Sequence, residues 1–255
     1  MTVETVPVGP GAVDPRAALA AGTESEPAAA APDAAAPDDD ALRAADGRVP
    51  GRRGLATRTR LLQSTSSLLA TGSYRDLKVT DITREAGTSP ATFYQYFPDV
   101  ESALLVLAEE TADDGAGLSA LIVGQRWRGG GGFATAQGLV DGFLSFWSDH
   151  QSVLRVVDLL TEEGDQRFRA IRVRMLNSVT RALASAITEL QERGQRPADV
   201  VPMAMGGALV SMLAHVAAHQ SGFETWDIAV ADLRESMARL VYGGVTGRRL
   251  SSPAR

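Results

Sequence analysis

The sequence predicts an all-α protein, with a head of three short helices followed by a body of long ones, and three observations carry that expectation. Apolar residues recur at spacings of three and four from Leu55 onward. A turn, Ala86-Gly87-Thr88-Ser89-Pro90, separates two helical segments too short to be stable alone. Beyond Asp99 the same helical spacing continues in long blocks to about residue 243.

Ahead of the head, residues 1–50 are rich in Ala, Pro, Gly, Asp and Glu, contain no aromatic side chain and have no regular period. Such a stretch cannot bury enough apolar surface to offset its ordering entropy, so a disordered acidic tail is expected. Glu4, Asp14 and scattered prolines break any secretory signal pattern. No later run of about 18 apolar residues is free of charge, so neither a membrane span nor a membrane partner is expected and the location read is cytoplasmic. The chain has no cysteine, which excludes a disulfide framework, a thiolate metal site and a cysteine nucleophile.

Net charge is −6, which argues at first against a nucleic-acid partner, but its distribution reverses that impression. Residues 1–50 hold nine acidic and three basic side chains, whereas residues 51–98 hold seven basic and three acidic, and residues 99–255 hold fifteen basic and nineteen acidic. A positive segment between two negative ones is the asymmetry expected if that segment alone meets phosphates.

The head is expected over 51–98. Leu61, Leu62, Leu68 and Leu69 mark a first helix that Gly72 and Ser73 end. Val79, Ile82 and Ala86 mark a second over about 78–86, with Asp76 or Lys78 at its cap and Asp81 facing the positive end of its dipole. Gly87 suits a left-handed helix terminus, Ser89 can cap the next helix, and Pro90 suits its first position. That third helix runs to about Phe97, where Pro98 stops it; Phe93 and Phe97 form its inward face, and Ala91, Thr92, Gln95 and Tyr96 point elsewhere, with Tyr94 at the edge. Two helices joined by a short Gly-containing turn make a helix-turn-helix.

Residues Tyr74 to Phe97 resemble the DNA-binding signature of the TetR family of bacterial repressors, through Asp81-Ile82, Ala86-Gly87, Thr92-Phe93-Tyr94 and Tyr96-Phe97. Farther on, Phe143, Phe146, Trp147 and His150 ahead of long helices resemble the ethionamide-resistance repressor branch. The resemblance implies a homodimer that binds a near-palindromic double-stranded DNA operator and responds to a small-molecule effector, without a cofactor. It places Thr80, Ser89, Pro90, Ala91, Thr92, Gln95 and Tyr96 against bases or nearby backbone, and Lys78 and Tyr94 on phosphate. Side-chain chemistry agrees: Gln95 suits a bidentate contact to adenine, and Ala91 or the Thr92 methyl suits a thymine methyl. One departure is Val100 after Asp99, where the family commonly has a lysine; Asp99 makes a good N-cap but cannot bind phosphate. Arg52, Arg53, Arg58 and Arg60 either compensate on phosphates or in a minor groove, or keep a disordered junction soluble.

The body is expected over 99–247, with a flexible C-terminus over 248–255. A fourth helix starting at Val100 is expected to reach about Val123, followed by a flexible linker at Gly129 to Gly132. Further helices are expected over about 133–149, 152–161 and 168–190, and one over 199–220 that is apolar nearly all round. The last carries Trp226, Val230, Leu233, Met237 and Leu240 and is closed by Gly243-Gly244. By the family resemblance, the last two form the dimer interface.

Several features invite sharper readings. The glycine run is not followed by a lysine and joins no strand to a helix, so it is no phosphate cradle. His215 and His219 lie four apart with no third ligand at a telling spacing, which favours a core or interface pair over a metal site. With no nucleophile elbow or paired carboxylates, no enzyme is expected. Trp127, Phe143, Phe146, Trp147, Met175 and Met212 are instead read as lining an apolar cavity for a lipophilic or aromatic effector.

Overall fold

The computed structural model of the protein describes residues 51–248. The expected tail over 1–50 and the C-terminus beyond residue 248 lie outside the described residues.

Among the described residues the regular structure is helical. Helix α1 spans Arg52–Thr71 and buries Leu61, Leu62, Thr65 and Leu69. The arginines at 52, 53, 58 and 60 are therefore helical, not a disordered junction. A 3-10 turn over Tyr74–Asp76 leads to α2, Val79–Glu85. Lys78 holds the N-cap position without a side-chain capping bond, and Asp76 belongs to the 3-10 turn, so neither candidate caps α2 through its side chain. Helix α3 follows over Pro90–Tyr96 and α4 over Val100–Ala116.

Helix α4 stops before the expected Val123. Gly115 and Gly117 lower helix propensity there, and Leu118 and Leu121 pack on Gly142, so the chain tightens into a 3-10 turn over Gly117–Leu121. The glycine stretch is not a linker either: Gly129–Asp149 is one helix, α5, whose first turn is that stretch. Close packing on the loop just before it overrides the permissiveness of the glycines. Gly132 lies so close to the Trp127 backbone that a Cβ would come within 2.4 Å of its carbonyl carbon. Its N–H donates to the Arg128 carbonyl at 3.1 Å, and the Thr135 hydroxyl donates to the Arg126 carbonyl at 3.3 Å.

Helices α6, Gln151–Glu162, and α7, Gln166–Glu192, follow. Asp165 caps α7 by accepting from the Arg167 N–H at 2.8 Å. The buried positions of α7 are Phe168, Ile171, Met175, Val179, Leu183, Ile187 and Leu190, the face its periodicity predicts, together with Ala184, and it packs on α4, α6 and the next helix. That helix, α8, spans Pro202–Ala218; a short α9, Gln220–Glu224, precedes α10, Val230–Thr246. Trp226 is 70% exposed and lies ahead of α10, not in it. Gly243-Gly244 does not end α10, which runs on to Thr246, because Gly244 lets the helix pack closely against Leu209 of α8.

The head sits directly on the body. Helix α1 packs against α4 and α6. Tyr74 and Arg75 both reach Glu163 after α6, and Arg167 of α7 pairs with Glu101 of α4.

Candidate nucleic-acid interface and body clefts

The recognition element is built locally. Gly87, at φ 62°, takes a conformation that disfavours residues with a Cβ, and this lets the chain turn back at the end of α2. The Gly87 N–H then donates to Arg84 and the Thr88 N–H to Thr83, at 3.2 and 2.9 Å, which satisfies two terminal carbonyls of α2. Ser89 turns the chain into α3 by accepting from the Thr92 N–H at 3.2 Å, and Pro90 starts the helix without an orphaned donor.

Seven residues cannot hold a helix in water, so α3 depends on what it sits on. Phe93 and Phe97 are fully buried, with ring centroids 5.5 Å apart, in the same core as Leu61 and Ile82. This anchoring turns the opposite side outward. Lys78, Thr80, Ser89, Pro90, Ala91, Tyr94 and Gln95 are exposed, and Thr92 is half-buried with its hydroxyl 3.0 Å from that of Ser89. Tyr94 is 53% exposed and stands edge-on to Phe93. Tyr96 differs from expectation: it is half-buried and packs against the core of the head.

Charge around this surface is divided. Arg52, Arg53, Arg60 and Lys78 are exposed, whereas Arg84 pairs with Asp81 at 2.7 Å and Arg75 with Glu163. Arg58 fits neither reading the sequence left open. It is buried, stacks over Phe97, and lies 3.8 Å from Glu110 of α4; burial pushes its pKa down against the pull of that carboxylate. Asp99 caps α4, accepting from the Ser102 N–H and hydroxyl, each at 2.7 Å, and Val100 packs toward the core.

In the body, the residues read as an effector lining are mostly packed interior. Phe143 and Trp147 stack at 6.2 Å, Phe146 stands edge-on to Trp147, and a Cβ on Gly115 would meet Met175 and Phe146 within 3 Å. Phe143, Phe146, Trp147 and Met175 are buried, and none lines a cleft described here; Met212 is half-buried on α8. Large side chains on α5 and α7 here pack against one another and against Gly115 of α4. Trp127 alone borders open space, a cleft of about 530 Å³ between the 122–128 loop and α7. Arg126, Arg128 and Arg193 border it too. Sequence reading passed over these arginines, although two of them flank a tryptophan just before the glycine run. A second cleft, of about 790 Å³, lies among α6, α7 and α8 and is bordered by His215 and His219, whose rings stack at 4.4 Å. No described helix is long and apolar enough to cross a membrane.

The comparisons with known proteins agree with this geometry. The family model described as "Bacterial regulatory proteins, tetR family" matches residues 61–102, and that for "Tetracyclin repressor-like, C-terminal domain" matches residues 118–252, more than half of the chain. Among solved structures, the fatty acid degradation regulator FadR from Bacillus halodurans is similar at TM-score 0.59 and 16% identity, over 78% of this chain and 98% of that one. GusR of Salmonella enterica is similar at TM-score 0.58 and 15% identity, over 76% and 97%. Thermus thermophilus FadR, a TetR family repressor solved in complex with lauroyl-CoA, is similar at TM-score 0.51 and 20% identity, over 78% and 100%. At such identities these structures speak for the fold, while the family models cover both the helix-turn-helix and the helical body, and the chain belongs to the TetR family of bacterial DNA-binding transcriptional regulators.

Proposed function

We propose that this regulator is a homodimeric repressor whose α3 enters the major groove of a near-palindromic operator and whose body binds a small-molecule effector that releases the DNA. The observation that carries the reading is the seating of α3: two buried phenylalanines and the Ser89 cap hold it rigidly, with Thr80, Ala91, Gln95 and their neighbours outward. On this reading Gln95 reads a base edge, while Lys78, Tyr94 and the Ser89 hydroxyl contact phosphates. The exposure of these residues on α2, α3 and the turn between them supports the reading that they share one groove and its flanking backbone.

Dimerisation is supported by α8 and α10, which pack on each other and carry exposed apolar side chains such as Met203 and Leu240. Two heads fixed by such a pairing would meet half-sites about one helical turn of DNA apart, or a multiple of it. Helix α4 is the lever, since it starts beside the head and ends at the 3-10 turn leading to the 530 Å³ cleft. An effector that favours a head spacing unfit for the operator shifts the population away from DNA, and a coupling of about 1–3 kcal/mol weakens binding 5- to 150-fold. The lauroyl-CoA held by the Thermus relative makes an acyl thioester one effector to try.

Selecting bound duplexes from random DNA with the full chain tests the reading. A near-palindrome with two half-sites is expected; enrichment of an isolated half-site would count against the dimer, and no enrichment against the recognition surface.

A further inference from the structure

The cleft beside Trp127 combines open space, an apolar wall and cationic side chains. Its volume, about 530 Å³, falls within the roughly 300–1,000 Å³ of small-molecule sites. Ala182, Ala186 and Leu190 of α7, with Ile122 opposite in sequence on the loop, supply an apolar lining. Glu189 is the one acidic residue of the lining, and Arg193 already pairs with it at 3.2 Å. Arg126 and Arg128 form no ion pair with any described residue.

Between these arginines Trp127 is 5% exposed, and its Nε1–H is buried with no acceptor among the described residues. Buried indole N–H groups usually have a partner, and leaving one unpaired is costly. Indole and guanidinium groups donate and never accept, so the three side chains together call for an acceptor that carries negative charge. The positive end of α5, which begins just after Arg128 with neither a side-chain cap nor an acidic residue in its first turn, adds to the same field.

We propose that this cleft is the effector site and takes an amphipathic organic anion. Its carboxylate or phosphate head pairs with the exposed Arg126 and Arg128 and, once a small shift of their loop uncovers it, accepts from Trp127 Nε1–H, and its apolar part lies along Ala182, Ala186 and Leu190 of α7. The assignment rests on the effector-responsive reading given above. It also supplies a route to the DNA, because the loop that carries Trp127 continues from α4 through the 3-10 turn, so drawing the loop onto a ligand acts on the lever's far end.

Calorimetric titration of the full chain with dodecanoate, dodecyl phosphate and dodecanol, each below its aggregation concentration, tests the site. At least one anion should bind about tenfold or more tightly than the alcohol, the value of one charge-assisted hydrogen bond. The anion preferred tells whether the head is a carboxylate or a phosphate. Arg126→Gln and Arg128→Gln, both at exposed positions, should each weaken that anion several-fold and leave the alcohol unchanged, and Trp127→Phe should do likewise through loss of the N–H. Dodecanol binding as tightly as both anions, no anion binding, or variants that bind as the parent does would overturn the assignment. Operator release separates the two claims. Anion binding that responds to the variants but never loosens DNA keeps the site and removes the effector reading; release by another compound, undiminished in all three variants, keeps the effector reading and removes this site.

Discussion

The guanidinium of Arg58, on α1, lies over the ring of Phe97 at 5.5 Å from its centroid and 3.8 Å from the carboxylate of Glu110 on α4. One side chain thus touches the anchor of the recognition helix and the helix that leads into the body. A head held in this way cannot tilt relative to α4 without disturbing a buried cation, which makes the contact a candidate joint between effector and DNA.

Arg58→Ala is expected to lower stability by about 1–3 kcal/mol, since it removes a packed stem and a cation–π contact together. Arg58→Met, which keeps most of the apolar volume, should lose less. Denaturant unfolding of both variants checks this, and parent-like stability in Arg58→Ala would show that the contact does not hold the head.

Lys78 and Gln95 should separate by kind of effect. Lys78→Ala is expected to weaken all duplexes alike and to flatten the dependence of log affinity on log salt by about one unit. Gln95→Ala should cost about 1–3 kcal/mol on the best site and relax preference at one base pair. Titrations of matched and single-mismatch duplexes at several salt concentrations distinguish the two patterns.

Two glycines have measurable steric roles. Gly87→Ala places a Cβ on a left-handed residue and should cost about 1–2 kcal/mol. Gly132→Ala drives a methyl into the Trp127 backbone and should cost about 1–3 kcal/mol, because a backbone neighbour yields less readily than a side chain. Thermal unfolding reads both; an unchanged midpoint for Gly132→Ala would mean that the loop is free to move away from α5.

What the sequence made legible was decided by short-range chemistry. Gly87, Ser89 and Pro90 fix the turn between α2 and α3 through bonds spanning five residues or fewer, and Phe93 and Phe97 declare the buried side of α3 by their spacing. The long apolar period of α7 survives in the fold for the same reason. Misreadings fell where distant residues decide. Gly243-Gly244 looks like a stop until Leu209 packs on it, and Arg58 looks like a surface charge until α4 covers it; Gly129 to Gly132 is the exception, since the Trp127 backbone that packs on Gly132 is near in sequence. The aromatic cluster at Phe143, Phe146 and Trp147 has the composition of either a filled core or a cavity wall, and how closely it packs depends on the relative placement of α4, α5 and α7, which spacing along the chain does not give.

Acid should weaken the cap at the start of α7. The Asp165 carboxyl, hydrogen-bonded by the Arg167 side chain and backbone, titrates at about 2, against roughly 3.9 in an unfolded chain. A carboxylate whose pKa is depressed on folding stabilises the native state above the unfolded value and loses that contribution as pH falls through the folded one, so the window is about pH 4 to 2. Because Asp165 and Arg167 meet solvent, the effect should be modest and should shrink with salt. Asp165→Asn is expected to lose less stability than the parent between pH 4 and 2, and parallel acid profiles would contradict the role given to this pair.

The proposed operator recognition depends most directly on the outward side of α3. Fluorescence anisotropy on the selected duplex, comparing the parent with a Thr92→Ala, Gln95→Ala double variant, puts that side to the test. At least about tenfold weaker binding is expected for the variant on the selected site, with its affinity for unrelated DNA at low salt unchanged. Equal affinity and equal sequence preference in the two proteins would show that the bases are read by some other surface.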